Sequence, residues 1–224
     1  MGSLIGNLRG TTFVVIDFEA LTPAGRPAEP TEVAALALVV RRGRLVEDGR
    51  FASLIRPPSD VPVTARDLAG GMTEAALRSA PPPAEVLAGL ERRLTSPPYR
   101  LVAQHASTEA GLIARQAPHC PTLGAAPMLD TLRLAKRVLR GLSSYGLDAL
   151  LRHYGMPPPR GRHRAMPDVE ATAEVFRRLL ADGARASHWS TLLDLDVAAG
   201  LRPKPAATAA EDLPVQGELF GPGH

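Results

Sequence analysis

Short apolar runs bounded by turn residues divide the first quarter of the chain into three predicted strands. They lie at 12–19, 32–41 and 45–56. The Pro- and Gly-rich segment 20–31 predicts a loop between the first two strands, and 42–44 predicts a tight turn between the second and third. Three consecutive strands connected in this way indicate an antiparallel meander.

The rest of the chain alternates between strand and helix patterns. Further strands are predicted at 101–105 and near 126–129. Periodicity and helix-start signals predict helices at 64–69, 83–95, 107–116, 130–140, 145–154, 168–182 and 187–199. From Gly200 onward the chain is rich in Pro and Ala without core periodicity, which predicts a flexible tail. A meander followed by alternating strands and helices indicates a layered α/β or α+β fold.

Length and composition narrow the class of protein. The 224 residues suggest one domain with appendages, and a formal net charge of +3 is compatible with a polyanionic partner without requiring one. Cys120 is the only cysteine, so an internal disulfide is impossible and a reducing, cytoplasmic environment is expected. The N-terminus has no secretory-signal pattern and no apolar stretch is long enough to cross a bilayer, so we expect no membrane partner.

Two acids interrupt the first predicted strand, in the stretch FVVIDFE at 13–19. Asp17 and Glu19 are separated by one residue, and strand side chains repeat every two residues, so both carboxylates point to the same side. Carboxylates are expensive to bury unless they are paired or bind a cation. A pair held in this way forms half of a divalent-cation site, although an isolated pair also occurs at solvent-facing strand ends.

Two later segments place further acids at the starts of helices. Glu109 follows the strand predicted at 101–105 and lies in the first turn of the next helix. Asp168 follows Pro167 at the start of a strongly amphipathic helix, with His163 in the loop five residues earlier. Taken alone, Glu109 is better explained by the helix dipole, which favours negative charge at a helix N-terminus, and an acid such as Asp168 at a helix start after a loop histidine is also common.

Together, the three segments resemble the DEDD-type 3′-to-5′ exonucleases. The similarity is greatest to their His-containing subgroup, typified by the epsilon proofreading subunit of bacterial replicative polymerase. It covers about residues 12–182 and includes MLDTLRLAKR (128–137) and SYGLDALLRHYGM (144–156). The resemblance implies a ribonuclease-H-like α/β fold, with a mixed central sheet flanked by helices on both faces. We therefore assign 1–11 to an N-terminal extension, 12–199 to an exonuclease domain and 200–224 to the tail.

The resemblance also implies a mechanism that uses two divalent cations, Mg²⁺ or Mn²⁺. Asp17 would bridge both ions, Glu19 and Asp168 would hold the ion that carries the attacking water, and Glu109 would support the second ion. His163 would take the proton from that water. The substrate would be nucleic acid with a free 3′ end, DNA being favoured, and the products nucleoside 5′-monophosphates.

Several positions depart from the family pattern. Glu109 stands where the family usually has Asp, and Ala20 and Leu21 replace the usual Thr pair that braces the terminal nucleotide. His105 is a further departure, for which capping and substrate contact both remain open. Arg164 stands where the tyrosine subgroup carries its phenol, which favours the histidine subgroup. Arg162 and Arg164 flank His163, and both are predicted to contact substrate phosphates.

The tail contains a second motif, in VQGELFGPGH. Gln216, Leu219 and Phe220 resemble the bacterial sliding-clamp-binding pentapeptide, in which an extended peptide inserts a Leu-Phe anchor into an apolar pocket. The resemblance predicts a clamp or a DNA polymerase as partner. The alternative is that Leu219 and Phe220 pack on the chain's own core.

Two rivals to a DNA exonuclease remain open. One is an exoribonuclease with the same fold and metal site. The other is a module of weak or no activity, impaired by the change to Glu109 and retained to recruit a clamp or polymerase. Metal-dependent hydrolysis would separate the enzymes from the module, and labelled DNA and RNA strands would separate the two enzymes.

Overall fold

The computed structural model describes residues 4–64, 68, 71–161 and 164–205 of the chain. The strands of this part are β1 (Thr12–Leu21), β2 (Glu29–Arg41), β3 (Arg44–Leu54), β4 (Tyr99–Ala103), β5 (Met128–Asp130) and β6 (Gly200–Leu201). The α-helices are α1 (Leu4–Asn7), α2 (Glu74–Ser79), α3 (Pro83–Glu91), α4 (Ala106–Gln116), α5 (Pro121–Ala125), α6 (Thr131–Val138), α7 (Leu147–His153), α8 (Ala165–Arg185) and α9 (Leu192–Ala199).

The described strands form one mixed sheet in the order β3-β2-β1-β4-β5-β6. β1, β2 and β3 form the predicted antiparallel meander, and β4 and β5 continue the sheet parallel to β1. The carboxyl ends of β1, β4 and β5 therefore meet at one edge of the sheet. Asp17 and Glu19 lie towards that end of β1, α4 begins just after β4, and Asp130 ends β5.

Helices cover both faces of the sheet. The side chains of β1 alternate between the two faces and therefore contribute to two cores. Phe13 and Val15 belong to the core formed with α6, α7, α8 and α9. Val14 and Ile16 belong to the opposite core, formed with α3, α4 and α5. An almost continuous apolar strand sequence is the expected pattern for a strand covered on both faces.

The long helix α8 packs on β1 and β2. The rings of Phe13 and Phe176 lie 5.4 Å apart at the centre of this contact. Near the other end of the helix, the indole of Trp189 lies against Gly183 and donates to the carbonyl of Leu180 at 3.1 Å. The helix is therefore anchored along its length, which makes its first turn a firm support for a functional side chain.

The packed part of the chain extends beyond the predicted boundaries at both ends. Leu4 and Leu8, assigned to an N-terminal extension, are buried in the α8 core. Gly200 and Leu201, assigned to the tail, pair with β5 as strand β6. A two-residue edge strand and a four-residue helix are too short to leave a periodic signal in the sequence.

Other boundaries also differ from prediction. β1 and β2 extend into the predicted loop 20–31, because backbone pairing across a bulge after Glu19 continues where the composition suggests a turn. α9 begins only at Leu192, where Thr191 and Asp194 form a capping box. The helix predicted at 64–69 lies mostly outside the described residues. Among those described, no helix combines the length and apolar character needed to span a membrane.

Candidate metal centre

Asp17 and Glu19 occupy the carboxyl-terminal half of β1 and are half-buried. They have the same parity as Phe13 and Val15, whose side chains pack in the core beneath α8. The strand geometry that buries those two residues therefore directs both acids towards the start of α8.

Asp168 lies in the first turn of α8 and is buried. The amphipathic pattern of the helix places it beside Ala165 and Val169, whose side chains contribute to the core. The positive end of the helix dipole favours a carboxylate at this position.

The three acids converge. Asp17, Glu19 and Asp168 each offer a carboxylate oxygen, and these oxygens lie within 4.8 Å of one another. Carboxylates this close repel each other unless a cation or a proton intervenes. An all-oxygen donor set without His or Cys suits hard ions such as Mg²⁺ and Mn²⁺. The residues present therefore fit a divalent cation.

An ion pair between a buried carboxylate and a partly exposed guanidinium lies next to this cluster. Arg164, immediately before α8, donates from Nε and Nη2 to the carboxylate of Glu32 at 2.8 and 3.1 Å. Glu32 is 4% exposed and stands opposite Glu19 in the register of β1 and β2. Bonding to Glu32 raises the pKa of Arg164, and the nearby charge of Glu19 raises it further. Arg164, predicted to contact substrate phosphates, has two of its donors committed to this carboxylate.

Glu109 lies in the first turn of α4 and is buried. Its pKa is raised to about 8, first of all by burial and further by the negative charges of Asp130 and Glu19. Within the part of the chain that the structure describes, its Oε2 atom has no hydrogen-bond partner. The charge of Glu19 thus acts on the carboxyl group of Glu109, but Glu109 is not one of the three converging acids.

Two acids of this region are absent from the predicted site. Asp130 is buried at the end of β5, where Oδ1 accepts from the amide of Leu132 at 2.9 Å and caps α6. Its sequence signal, an acid between a strand and a helix, is the same one that identified Glu109. Glu32 is an acid at the start of an apolar run, and only its partner 132 residues away explains its burial.

The other described candidates lie around the cluster. His105 is exposed and precedes α4 with a left-handed backbone, φ 61°, and without a side-chain cap. Ala20 and Leu21 line a cleft of about 600 Å³ that begins one residue after Glu19. The remaining lining residues are Thr22, Pro23, Ala24, Pro62 and Thr64. Arg162, His163, Gln216, Leu219 and Phe220 lie outside the described residues, so their predicted roles remain predictions.

The sequence from β1 to α8 also matches a known family. Residues 14–176 match the family model described as Exonuclease. The chain belongs to this exonuclease family. It is 30% identical over 185 residues to the DNA polymerase III subunit epsilon of Aquifex aeolicus, covering 79% of this chain and 84% of that protein. It is 35% identical over 172 residues to a DNA polymerase III subunit epsilon-like protein of Rhodobacter capsulatus, but spans only 24% of its length.

Solved structures of exonucleases share the fold. The nuclease domain of 3′hExo, a DEDDh family member bound to rAMP, superposes with a TM-score of 0.64 at 19% identity, covering 77% of this chain and 93% of that one. Exonuclease X in complex with 5′-overhanging duplex DNA gives a TM-score of 0.60 at 22% identity, with coverage of 83% and 99%. The predicted ribonuclease-H-like fold and the resemblance to DEDDh exonucleases are confirmed, and family membership supports nuclease activity.

Proposed function

We propose that this chain is a metal-dependent exonuclease that removes nucleotides from the 3′ end of DNA and releases nucleoside 5′-monophosphates. The observation that carries the proposal is the convergence of carboxylate oxygens from Asp17, Glu19 and Asp168 within 4.8 Å. The polymerase epsilon subunits among its relatives support DNA as the substrate and replication or repair as the context.

The side chains divide the work of phosphodiester hydrolysis. Asp17, Glu19 and Asp168 would hold the divalent cations. Bound there, Mg²⁺ or Mn²⁺ would supply a nucleophilic hydroxide near neutral pH and neutralise charge on the leaving oxygen. Glu109 lies outside this group, and it would have to lose its proton to take part as a carboxylate. His163 accepts the proton of the attacking water, since an imidazole titrates near neutral pH.

The cleft that starts at Ala20 supports an end-directed activity. Its volume of about 600 Å³ lies in the usual range of small-ligand sites, and Ala20, which lines it, directly follows Glu19 in β1. In this proposal, a terminal nucleotide seated there would bring its last phosphodiester towards the acids. Ala20 and Leu21 offer apolar contact to the sugar and base in place of hydroxyl donors.

The test is digestion of 5′-labelled single-stranded DNA and of a duplex with a recessed 3′ end, in Mg²⁺ and in Mn²⁺. EDTA and the variant Asp168→Ala are the controls. We expect a metal-dependent ladder that shortens from the 3′ end and is absent with either control. Folded protein that yields no ladder with either metal contradicts the proposal.

RNA is the second candidate substrate. It is favoured by the structural similarity to 3′hExo, whose solved nuclease domain is bound to rAMP. Sequence-matched RNA strands in the same assay decide between the two. Faster digestion of RNA under every metal condition replaces DNA by RNA in the proposal, and failure with both leaves a binding module.

The tail supports a partner for the same enzyme. Gln216, Leu219 and Phe220 dock on a sliding clamp, and the tether raises the local concentration of the exonuclease at the DNA end. A clamp pull-down with the full chain and with a form lacking residues 216–220 tests this role. Equal capture of both forms contradicts clamp binding and leaves the nuclease proposal unaffected.

A further inference from the structure

Glu32 is a buried carboxylate on β2 for which the proposed chemistry has no use. It accepts two hydrogen bonds from Arg164 and, at 3.4 Å, a third contact from the amide of Ala165. It has the same parity as Ala34 and Leu36 of the α8 core, so its side chain points to the face on which α8 packs. One carboxylate therefore ties the side chain before α8 and the first amide of α8 to the sheet.

The position of this pair couples two of the proposed metal ligands. Glu32 stands directly opposite Glu19 across β1 and β2. The carbonyl of Arg164 accepts a hydrogen bond from the amide of Asp168 at 3.4 Å, which closes the first turn of α8. Arg164 thus contacts β2 through its guanidinium and Asp168 through its backbone.

The energetics favour a positioning role for Arg164 over a role in phosphate binding. A carboxylate as buried as Glu32 needs a hydrogen-bonded cation, and removal of that cation is strongly destabilising. A two-point contact between guanidinium and carboxylate also fixes direction, which a single ammonium contact does not. A phosphate that recruited the Nε and Nη2 donors would leave Glu32 charged and unpaired.

We propose that Glu32 and Arg164 form a positioning pair that sets the start of α8 against β2, so that Asp168 meets Asp17 and Glu19 at metal-binding distance. This inference rests on the proposed metal-dependent function. The pair touches neither metal nor substrate and acts through the placement of Asp168. The pair also places the positive charge of Arg164 near Glu19, which lies opposite the acid Glu32 in the register of β1 and β2.

The test compares wild type with Glu32→Gln, Arg164→Gln and the double variant. Mn²⁺ affinity is measured by calorimetry, and oligonucleotide hydrolysis is measured as kcat and KM over a range of Mn²⁺ concentrations. Loss of a partner that orients a metal ligand typically lowers metal affinity or activity by about 10–100-fold. We expect a loss of this size in each single variant, no further loss in the double variant, partial recovery at high Mn²⁺ and little change in oligonucleotide KM.

One of the test variants and one control variant distinguish a structural defect from a positioning defect. Glu32→Gln strands no buried charge, because the guanidinium of Arg164 is partly exposed, so this variant remains informative if Arg164→Gln does not fold. Glu174→Gln removes surface ion pairs with Arg178, at 3.0 Å, and with Arg177, at 3.5 Å, from the same helix and should leave Mn²⁺ affinity unchanged.

Each alternative outcome is distinct. A raised oligonucleotide KM with unchanged Mn²⁺ affinity makes Arg164 a phosphate contact and overturns the inference. A lower melting temperature with unchanged Mn²⁺ affinity in the folded protein also overturns it. If wild type binds Mn²⁺ but cleaves nothing, the proposed function fails while weaker binding in Glu32→Gln still supports the pair. If wild type does not bind Mn²⁺, both fail.

Discussion

The two helices α4 and α8 begin near the candidate metal centre, and they carry similar sequence signals in different surroundings. Both have an acid in the first turn, Glu109 in α4 and Asp168 in α8. α8 is preceded by an extended residue, Arg164, that is ion-paired to the sheet. α4 is preceded by His105, which is in the left-handed region and forms no side-chain cap.

The difference shows that the role of an acid at a helix start can be assigned only when its surroundings are known. Asp168 shares its site with two other carboxylates at close range, an arrangement that favours a cation. Glu109 is buried outside this group, and burial raises its pKa to about 8, an arrangement that favours a proton. We therefore expect the two helix starts to respond differently to mutation, pH and metal.

The largest effect is expected at the start of α8. Asp168→Asn removes the charge of a proposed metal ligand and should lower kcat by about 10³-fold, because metal-ion stabilisation of the transition state amounts to several kcal/mol. Hydrolysis of a labelled strand at saturating Mn²⁺ measures the effect. Glu170→Gln, an exposed acid two residues farther along α8, is the matched control and should retain normal activity. If Asp168→Asn retains more than a tenth of the wild-type rate, Asp168 is not a ligand.

The start of α4 should make the stability of the protein depend on pH. In metal-free protein, the raised pKa of about 8 means that folded Glu109 stays protonated while the unfolded carboxyl ionises above its ordinary 4.5. Folding then takes up a proton, so this group's contribution to the free energy of unfolding is complete below pH 4.5. It is lost as the pH rises to about 8, by up to about 1.4 kcal/mol per pH unit.

Glu109→Gln isolates this contribution. Urea unfolding in EDTA between pH 5 and pH 8 should show the variant gaining stability relative to wild type as the pH rises. Added Mn²⁺ should stabilise wild type more than the variant at pH 8, because only the carboxylate exchanges its proton for the cation. Parallel stability curves for the two proteins would remove the proposed difference between the two helix starts.

A smaller effect is expected from the far end of α8, and it should affect stability without affecting the site. A Cβ added at Gly183 would lie 2.0 Å from the indole of Trp189, so Gly183→Ala should destabilise the fold by about 1–3 kcal/mol. Gly89→Ala in α3 is the control, since its nearest neighbour is at 3.8 Å and helix propensity should stabilise it by up to about 1 kcal/mol. Thermal unfolding measures both, and Mn²⁺ affinity below the transition should equal that of wild type.

The smallest effect is expected at His105. Asn adopts the left-handed conformation more readily, so His105→Asn should stabilise the protein by less than about 1 kcal/mol and leave hydrolysis unchanged. Chemical unfolding and oligonucleotide KM measure the two quantities together. A rise in KM with unchanged stability would identify His105 as a substrate contact, the role left open by the sequence.

Patterns with a clear physical period were predictable. The meander, the strand before α4 and the amphipathic α8 follow from apolar runs and periodicity, and all are present in the structure. The short elements α1 and β6 were not predictable, because their only support is packing or pairing with residues distant in sequence.

The acids show the same division. The sequence sufficed to name Asp17, Glu19, Glu109 and Asp168 as candidates, because their order and spacing together resemble a known family, although an acid at a helix start is common by itself. It was not sufficient to find Glu32, because an acid at the start of a strand becomes informative only when its partner is known. The sequence also did not decide whether the guanidinium of Arg164 contacts a substrate phosphate or bonds to a carboxylate of the sheet.

By itself, the sequence determined the order of strands and helices, the acids available for a metal site and the membership of the chain in an exonuclease family. Periodicity and residue type carry that information locally. Only the tertiary structure decided which acids meet, which is buried with a raised pKa and which arginine is committed to the sheet. These properties depend on distance and desolvation between side chains that lie up to 151 positions apart, from Asp17 to Asp168, and no local pattern encodes either quantity.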